Sequence, residues 1–149
     1  MIRIMWLLRR KPGITHQQFR EHYEKSHSVL GEEYLGHLLL GYRRNYIVPA
    51  PEAADSPLLQ SVFASKAFEY DCITEWDLAD EAAFEDVFKT LSNPAIGKIF
   101  HDDEEFFLDR ASVRLIRCEQ RTTDTSTSTP PVLPEIPVGA ADGRTLWDH

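Results

Sequence analysis

The chain has 149 residues and a formal net charge of −8, from 16 Lys and Arg against 24 Asp and Glu. This length predicts one domain, or one domain with a tail, and a substantial core. The acidic balance without a basic stripe argues against nucleic-acid binding, and no apolar run is long enough to span a membrane. Charged side chains interrupt the first apolar stretch, so we expect no signal peptide.

Two cysteines, Cys72 and Cys118, lie in strand-like segments and are expected to be small buried thiols, since two cysteines do not form a disulfide framework. We therefore expect a reducing, cytoplasmic setting. The sequence has no CxxC or HExxH motif, so no metal is predicted. It also lacks a glycine-rich phosphate loop, so no nucleotide cofactor is predicted.

The first predicted element is a strand over residues 1–10, where side chains partly alternate. Its strongly apolar face carries Ile2, Ile4, Trp6 and Leu8. A Pro12-Gly13 turn ends this strand. A helix follows, because Thr15 and Gln18 have the spacing of a capping box. One side of this helix carries five residues at the spacing i, i+3, i+4, i+7 and i+8. They are Phe19, His22, Tyr23, Ser26 and His27.

The remaining elements continue the alternation of strands and helices. Strands are predicted over residues 38–48, 70–77 and 109–118. Helical segments are predicted over residues 32–37, 81–91 and 95–100, with Asp80 as the cap of the longest one. The resulting order, β-α-β-β-α-β, is typical of a ferredoxin-like half, so the predicted fold class is α+β.

A four-stranded sheet with helices on one side leaves its other face open. We expect Trp6, Trp76 and apolar positions of the outer strands to make that face apolar, so that it packs against a second copy. The predicted assembly is a homodimer, a dimeric α+β barrel with two-fold symmetry. Glu75 and Asp77 are expected to pair across the sheet with Arg3, Arg43 or Arg114.

Two segments fall outside this pattern. Residues 49–68 have no clear period and contain three prolines, and a loop of that length is often functional, for instance as a lid.

The second segment, residues 119–149, begins rich in Thr, Ser and Pro. Its few apolar side chains cannot offset the conformational entropy that is lost when a chain becomes ordered. This segment is predicted to be a disordered tail, or an arm that wraps the partner subunit with Leu133, Ile136, Val138, Leu146 and Trp147. The domain is expected to span residues 1–118.

Four ordered stretches within residues 1–118 share the pattern of a known family. They are the Arg10-Lys-Pro-Gly-Ile-Thr turn followed by Phe19, Tyr23 and His27, then Tyr42-x-x-Asn45-Tyr46, then Tyr70-Asp71-x-x-x-Glu75-Trp76, and finally Asp103-Glu-Glu-Phe-Phe107-Leu-Asp109. This set resembles the EthD family, which implies the dimeric α+β barrel. The chain departs from many relatives in having Ser28-Val29, and not Ala-Pro, after the helix histidine.

The resemblance also implies a class of function. Members near this length are similar to enzymes that tailor aromatic polyketides, so it implies a cofactor-free lyase, a decarboxylase or dehydratase, acting on an aromatic polyketide intermediate. Cofactor-free monooxygenases and polyketide cyclases or isomerases share the superfamily, and a non-catalytic dimeric ligand-binding protein is a further alternative. Fold membership does not choose among these.

His27 is the leading candidate for acid/base work, because a helix C-terminus favours the charged imidazole and histidine exchanges protons near neutral pH. The alternative is a buried histidine bound to a backbone carbonyl. The predicted catalytic residues are His27, His22, Tyr46 and Asp103.

The predicted substrate-binding residues are Tyr23, Tyr42, Asn45, Trp76, Phe88 and His101. Strand tyrosines could stack on a flat ligand and bind its oxygens, or they could be ordinary aromatic core. The run His101-Asp102-Asp103 could equally be a solvated cap.

Overall fold

The computed structural model describes residues 1–48 and 68–135. The predicted lid at residues 49–68 and the arm residues beyond 135 therefore lie almost wholly outside the described residues. Strands in the described ranges are β1 (Ile2–Leu8), β2 (Gly41–Tyr46), β3 (Cys72–Leu78) and β4 (Arg114–Cys118). The α-helices are α1 (His16–His22), α2 (Ser28–Leu35), α3 (Glu81–Leu91) and α4 (Pro94–Glu104). Three shorter helical turns are a π-helical turn (Tyr23–His27) and two 3-10 turns (Gly36–Leu38 and Arg110–Ser112).

The four strands form one antiparallel sheet in the order β2-β3-β1-β4. The two halves of the chain each contribute a strand, helices and a second strand, so the element order is β-α-β-β-α-β. This is the predicted ferredoxin-like α+β fold, and the prediction is confirmed.

Side-chain caps fix where the helices begin. Thr15 Oγ1 accepts from the backbone N–H of Gln18 at 3.1 Å, and Gln18 Oε1 accepts from that of Thr15 at 2.8 Å, so the predicted capping box is complete. Asp80 Oδ1 accepts from the N–H of Ala83 at 2.9 Å, as predicted for α3. These bonds satisfy N–H groups that have no partner within the helix.

The three largest differences between the predicted and the observed boundaries concern α2, α4 and β4. Helix α2 runs over 28–35, not 32–37, because Gly31 permits close contact there: a Cβ would lie 3.0 Å from Tyr42 Cε1. Helix α4 begins at Pro94, because a missing N–H costs nothing at the first position, and it continues to Glu104 and does not end at residue 100. Strand β4 begins at Arg114, since a 3-10 turn precedes it.

The core lies between the sheet and the helices. Ile4, Leu78 and Val87 are fully buried there, and Trp76 is 7% exposed. The rings of Trp6 and Trp76 meet edge to face, with centroids 5.3 Å apart. Both tryptophans therefore lie on the helix-covered side, and the expectation that they make the open face apolar is wrong. Strand alternation places Trp6 with Ile4, and the helices need that apolar side for their own burial.

The open face of the sheet carries an ion-pair network at its centre. Asp77 accepts from Arg3 Nε at 2.8 Å and from Arg43 Nη2 at 2.6 Å, and Glu75 accepts from Arg43 Nε at 2.8 Å. Two of the three predicted arginine partners are confirmed. The bond from Arg3, together with Arg43, holds the pKa of Asp77 below its usual value. By strand register, apolar side chains flank this network on the same face: Met5, Leu7, Ile73 and Ile116.

Residues 119–135 form no helix or strand and are exposed to solvent. Val132 is 96% exposed and Leu133 is 81% exposed. The boundary at residue 118 and the partner-wrapping arm stay predictions. Within the described ranges, no helix combines the length and apolar character needed to cross a bilayer.

Candidate functional site

A cavity of about 260 Å³ lies between the sheet and the helices. Its wall is mostly aromatic and aliphatic and includes Trp6, Leu8, Tyr42, Trp76, Leu91 and Phe100. Polar groups enter it from four further residues: Tyr23, His27, Glu104 and Arg110. A concave, largely apolar site with a few convergent polar groups is the usual form of a small-molecule site.

Behind His27, one buried carboxylate collects three side chains. His27 Nδ1 lies 2.8 Å from Asp103 Oδ2, and His22 Nε2 lies 3.0 Å from Asp103 Oδ1. Ser26 Oγ donates to Asp103 Oδ1 at 2.6 Å. Asp103 is 9% exposed, so the three bonds replace the water that this carboxylate would otherwise bind.

The charge of Asp103 sets the tautomer of His27. Burial alone would raise the pKa of Asp103, but the hydrogen bonds from His27 and Ser26 outweigh it and hold the pKa below its usual value. An ionised carboxylate only accepts hydrogen bonds, so Nδ1 of His27 carries the proton. In the neutral ring, Nε2 then holds a lone pair, and His27 lines the cavity. Asp103 therefore fixes the orientation of the His27 ring.

The π-helical turn explains how two histidines reach one carboxylate. His22 and His27 are five residues apart, whereas side chains on one face of an α-helix are three or four apart. Here the N–H of Ser28 bonds to the carbonyl of Tyr23, five residues back. Wider turns of this kind occur mostly as single turns, frequently at functional sites. In this chain the π-helical turn aligns both rings with Asp103.

Tyr23 and Tyr42 line the cavity, and their hydroxyl groups form a hydrogen-bonded chain with Thr74. Tyr23 Oη lies 2.7 Å from Thr74 Oγ1, and Tyr42 Oη donates to Tyr23 Oη over 3.4 Å. Burial raises the pKa of both tyrosines, so both hydroxyls keep their protons at neutral pH. The 3.4 Å contact is longer than an ordinary O–H···O bond, so Tyr42 can exchange it for a ligand oxygen.

Tyr46 belongs to a different cluster, outside the cavity wall. Its hydroxyl donates to Glu24 Oε1 at 2.6 Å, and Arg44 donates to both oxygens of Glu24, from Nε at 2.6 Å and Nη2 at 2.8 Å. The guanidinium of Arg20 covers the Tyr46 ring at 4.5 Å. This cluster ties the first helical segment to β2.

Of the ten residues predicted to form the site, four line the cavity: His27, Tyr23, Tyr42 and Trp76. His22 and Asp103 stand directly behind His27. The other four lie elsewhere: Asn45 donates to the Ile73 carbonyl at 2.9 Å, Phe88 packs behind Trp6, His101 is half-exposed, and Tyr46 binds Glu24. A ligand-binding or catalytic role for these four stays a prediction. Sequence patterns missed Glu104 and Arg110, since neither falls on a periodic stripe.

Across residues 1–48 and 68–135, no three His, Cys, Asp or Glu side chains are arranged to hold a metal ion. The fold and the site thus define a ferredoxin-like α+β protein with a histidine in a largely apolar cavity. Residues 11–111 match the profile of the EthD domain. This match covers more than half of the chain, and the protein belongs to the EthD domain family.

Solved structures show the same fold at low sequence identity. An EthD family protein from Bacillus halodurans is 19% identical, with a TM-score of 0.53, over 81% of this chain and 99% of that chain. The protein At3g17210 of Arabidopsis thaliana is 14% identical, with a TM-score of 0.52, over 83% of this chain and 99% of that chain. The comparison with curated proteins finds no significant match. These likenesses establish the fold alone.

Proposed function

We propose that the protein is a cofactor-free lyase, a decarboxylase or dehydratase, that acts on an aromatic polyketide intermediate of secondary metabolism. The observation that carries this proposal is His27, which lines the cavity while its Nδ1 is held 2.8 Å from Asp103. A histidine oriented by a carboxylate can both take and give a proton, and such transfer contributes about 10²–10⁴-fold to a rate.

In a dehydration, Nε2 of His27 takes a proton from the carbon beside a substrate carbonyl, and the electron pair forms an enolate. The enolate expels the β-hydroxyl, which leaves as water with the proton from the imidazolium. In a decarboxylation, His27 takes part as the imidazolium, after its Nε2 has taken a proton from solvent. The bond to the carboxylate carbon breaks, CO₂ leaves, and the electron pair forms the same enolate. The imidazolium then protonates the carbon.

Both reactions pass through an enolate, so both need a hydrogen-bond donor at its oxygen. Tyr42 fits this role, because its hydroxyl lines the cavity, keeps its proton and makes only a 3.4 Å contact to Tyr23. The apolar surroundings strengthen such a bond, since little water competes for it. Tyr23 in turn is held by Thr74 at 2.7 Å, which keeps the donor pair in place.

The aromatic wall and the family resemblance together support the substrate class. Trp6, Tyr42, Trp76 and Phe100 surround the cavity, and such rings favour stacking and edge contacts with flat aromatic ligands. A cavity that holds a histidine and two tyrosines favours catalysis over the alternative of a binding protein.

The proposal is tested by incubating the purified protein with a hydroxylated aromatic β-keto acid and following the products by mass spectrometry. We expect loss of CO₂ or of water without any added cofactor. Consumption of O₂, or rearrangement without a change in mass, would contradict it in favour of an oxygenase or a cyclase. Tight binding without turnover would favour the non-catalytic alternative.

We also propose that the open face of the sheet packs against a second copy in a homodimer. The apolar side chains of Met5, Leu7, Ile73 and Ile116 lie beside the ion-pair network on this face, and Ile116 is 44% exposed. Two such sheets packed face to face would remove these groups from water.

Sedimentation at micromolar concentration should give about twice the chain mass of 17.1 kDa. Ile116→Glu should shift the protein toward monomer, because it places a charge on the buried face. Val29→Glu is the matched control, since Val29 is 51% exposed on α2, away from the sheet. A wild-type protein that sediments as a monomer under these conditions would contradict the proposed homodimer.

A further inference from the structure

One ion pair interrupts the otherwise apolar cavity wall. Arg110 and Glu104 both line the cavity, and Arg110 Nε donates to Glu104 Oε2 at 2.9 Å. Arg110 comes from the 3-10 turn that precedes β4, and Glu104 is the last residue of α4. Among the lining residues that the structure describes, Arg110 is the one permanently charged cation.

This ion pair uses only part of the guanidinium. An arginine has five N–H donors, and Glu104 occupies the one on Nε. The next carboxylate oxygen, Oε1 of Glu105, lies 3.9 Å from Nη1, too far for a hydrogen bond. Within the described part of the chain, the Nη edge therefore keeps donors for another acceptor. Paired N–H groups on this edge match the two oxygens of a carboxylate.

We propose that Arg110 anchors the carboxylate of an aromatic acid in the cavity, with Glu104 holding the guanidinium in place. This inference rests on the proposed function and assigns a binding residue to the acid group of its substrate. The ring system of the acid would lie against Trp6, Tyr42 and Trp76, and its carboxylate would reach the Nη edge of Arg110. His27 faces the same cavity and acts on the atoms between these contacts.

The charge balance of the chain makes such an anchor necessary for an acid. A net charge of −8 repels anions at long range, so an acidic ligand needs a local cation. The Arg110 side chain is 42% exposed and lines the cavity together with Leu108 and Val113, so it lies at the solvent side of the cavity, where an incoming acid can reach it.

The test compares 2-naphthoic acid with its methyl ester by titration calorimetry. The two probes share the ring system and differ in the charge of one group. We expect the wild type to bind the acid about tenfold more tightly than the ester, as a charge-assisted bond of ordinary strength would give. Arg110→Gln should remove this preference and leave ester binding unchanged, and Arg110→Lys should keep part of it.

Arg114→Gln is the matched control. Arg114 lies four residues away, donates to the Ala111 and Val113 carbonyls at 3.2 and 2.9 Å, and does not line the cavity, so the control should retain the preference. Equal binding of both probes by the wild type would contradict the role of Arg110, and so would an Arg110→Gln variant that still prefers the acid. Neither result would contradict the proposed aromatic site. If the wild type binds neither probe, both the role of Arg110 and the proposed aromatic site are contradicted.

Discussion

A His27→Ala variant is expected to turn over substrate about 10²-fold more slowly than the wild type, or more slowly still. The substitution removes the imidazole that takes and returns the proton. The His27 ring packs against Phe107 and Phe100, with centroid distances of 4.9 and 5.7 Å, so alanine also leaves a void and should lower the melting temperature moderately. A stopped assay measures turnover, and calorimetry measures the melting temperature. Together they separate the loss of proton transfer from the loss of stability.

His27→Gln serves as the second variant, because its amide fills much of the same space and can donate to Asp103 but cannot carry a proton in the reaction. It should lose as much turnover as the alanine variant while keeping more stability. His37→Ala is the control, since His37 is exposed on the 3-10 turn after α2 and should leave turnover unchanged. Near-wild-type turnover in His27→Gln would remove the histidine from the mechanism.

An Asp103→Asn variant is expected to lose turnover by a similar order, about 10²-fold or more, although Asp103 does not line the cavity. Asparagine offers one acceptor oxygen, while His22, His27 and Ser26 all donate to this carboxylate. If the amide nitrogen faces His27, Nδ1 of the ring must accept, and the proton moves to Nε2. The ring then enters the reaction in the wrong tautomer, so kcat should fall more than KM rises.

The same variant should show a distinctive pH dependence of stability. The folded-state pKa of Asp103 is lowered, so its charge stabilises the fold above the unfolded value of about 3.9, and this contribution is lost as pH falls through the folded pKa. At neutral pH the variant should lose about 1–3 kcal/mol of unfolding free energy. The difference from wild type should narrow below about pH 4. Asp102→Asn is the control, because Asp102 is exposed beside Lys98; a difference that stays constant down to pH 2 would argue against this linkage.

Local signals predicted much of the fold. Thr15 and Asp80 cap the starts of α1 and α3 through hydrogen bonds within the first helical turn. These starts can therefore be predicted without knowledge of the rest of the fold. The side of the sheet that the helices cover is a tertiary property, and for this reason the placement of Trp6 and Trp76 was wrong. The end of α4 and the start of β4 also depend on contacts with other elements, such as the ion pair between Glu104 and Arg110.

The candidate site was predictable in its parts and not in its arrangement. His22, His27 and Asp103 were each candidates, yet their meeting spans more than 70 residues of sequence. No local spacing encodes that contact, and ordinary α-helical spacing leaves His22 and His27 about 140° apart, at opposite edges of the predicted stripe. Tyr46 shares the strand face of Tyr42, but its hydroxyl is held by Glu24, and this contact comes from the helical segment and not from the strand. Asn45 lies on the other face, as strand alternation requires.

The π-helical turn has a consequence for how this segment can vary between related chains. Lys25 projects to solvent in the middle of the turn, so many residue types can stand there without touching Asp103. With ordinary α-helical winding at 3.6 residues per turn, the present spacing of five residues would place His22 and His27 about 140° apart around the helix axis. His22 would then face away from the carboxylate, whereas removal of one residue would leave the two histidines four apart, on one face of an α-helix. Within this turn, the winding and the number of residues must match, and Lys25 is the position at which the residue type is comparatively free.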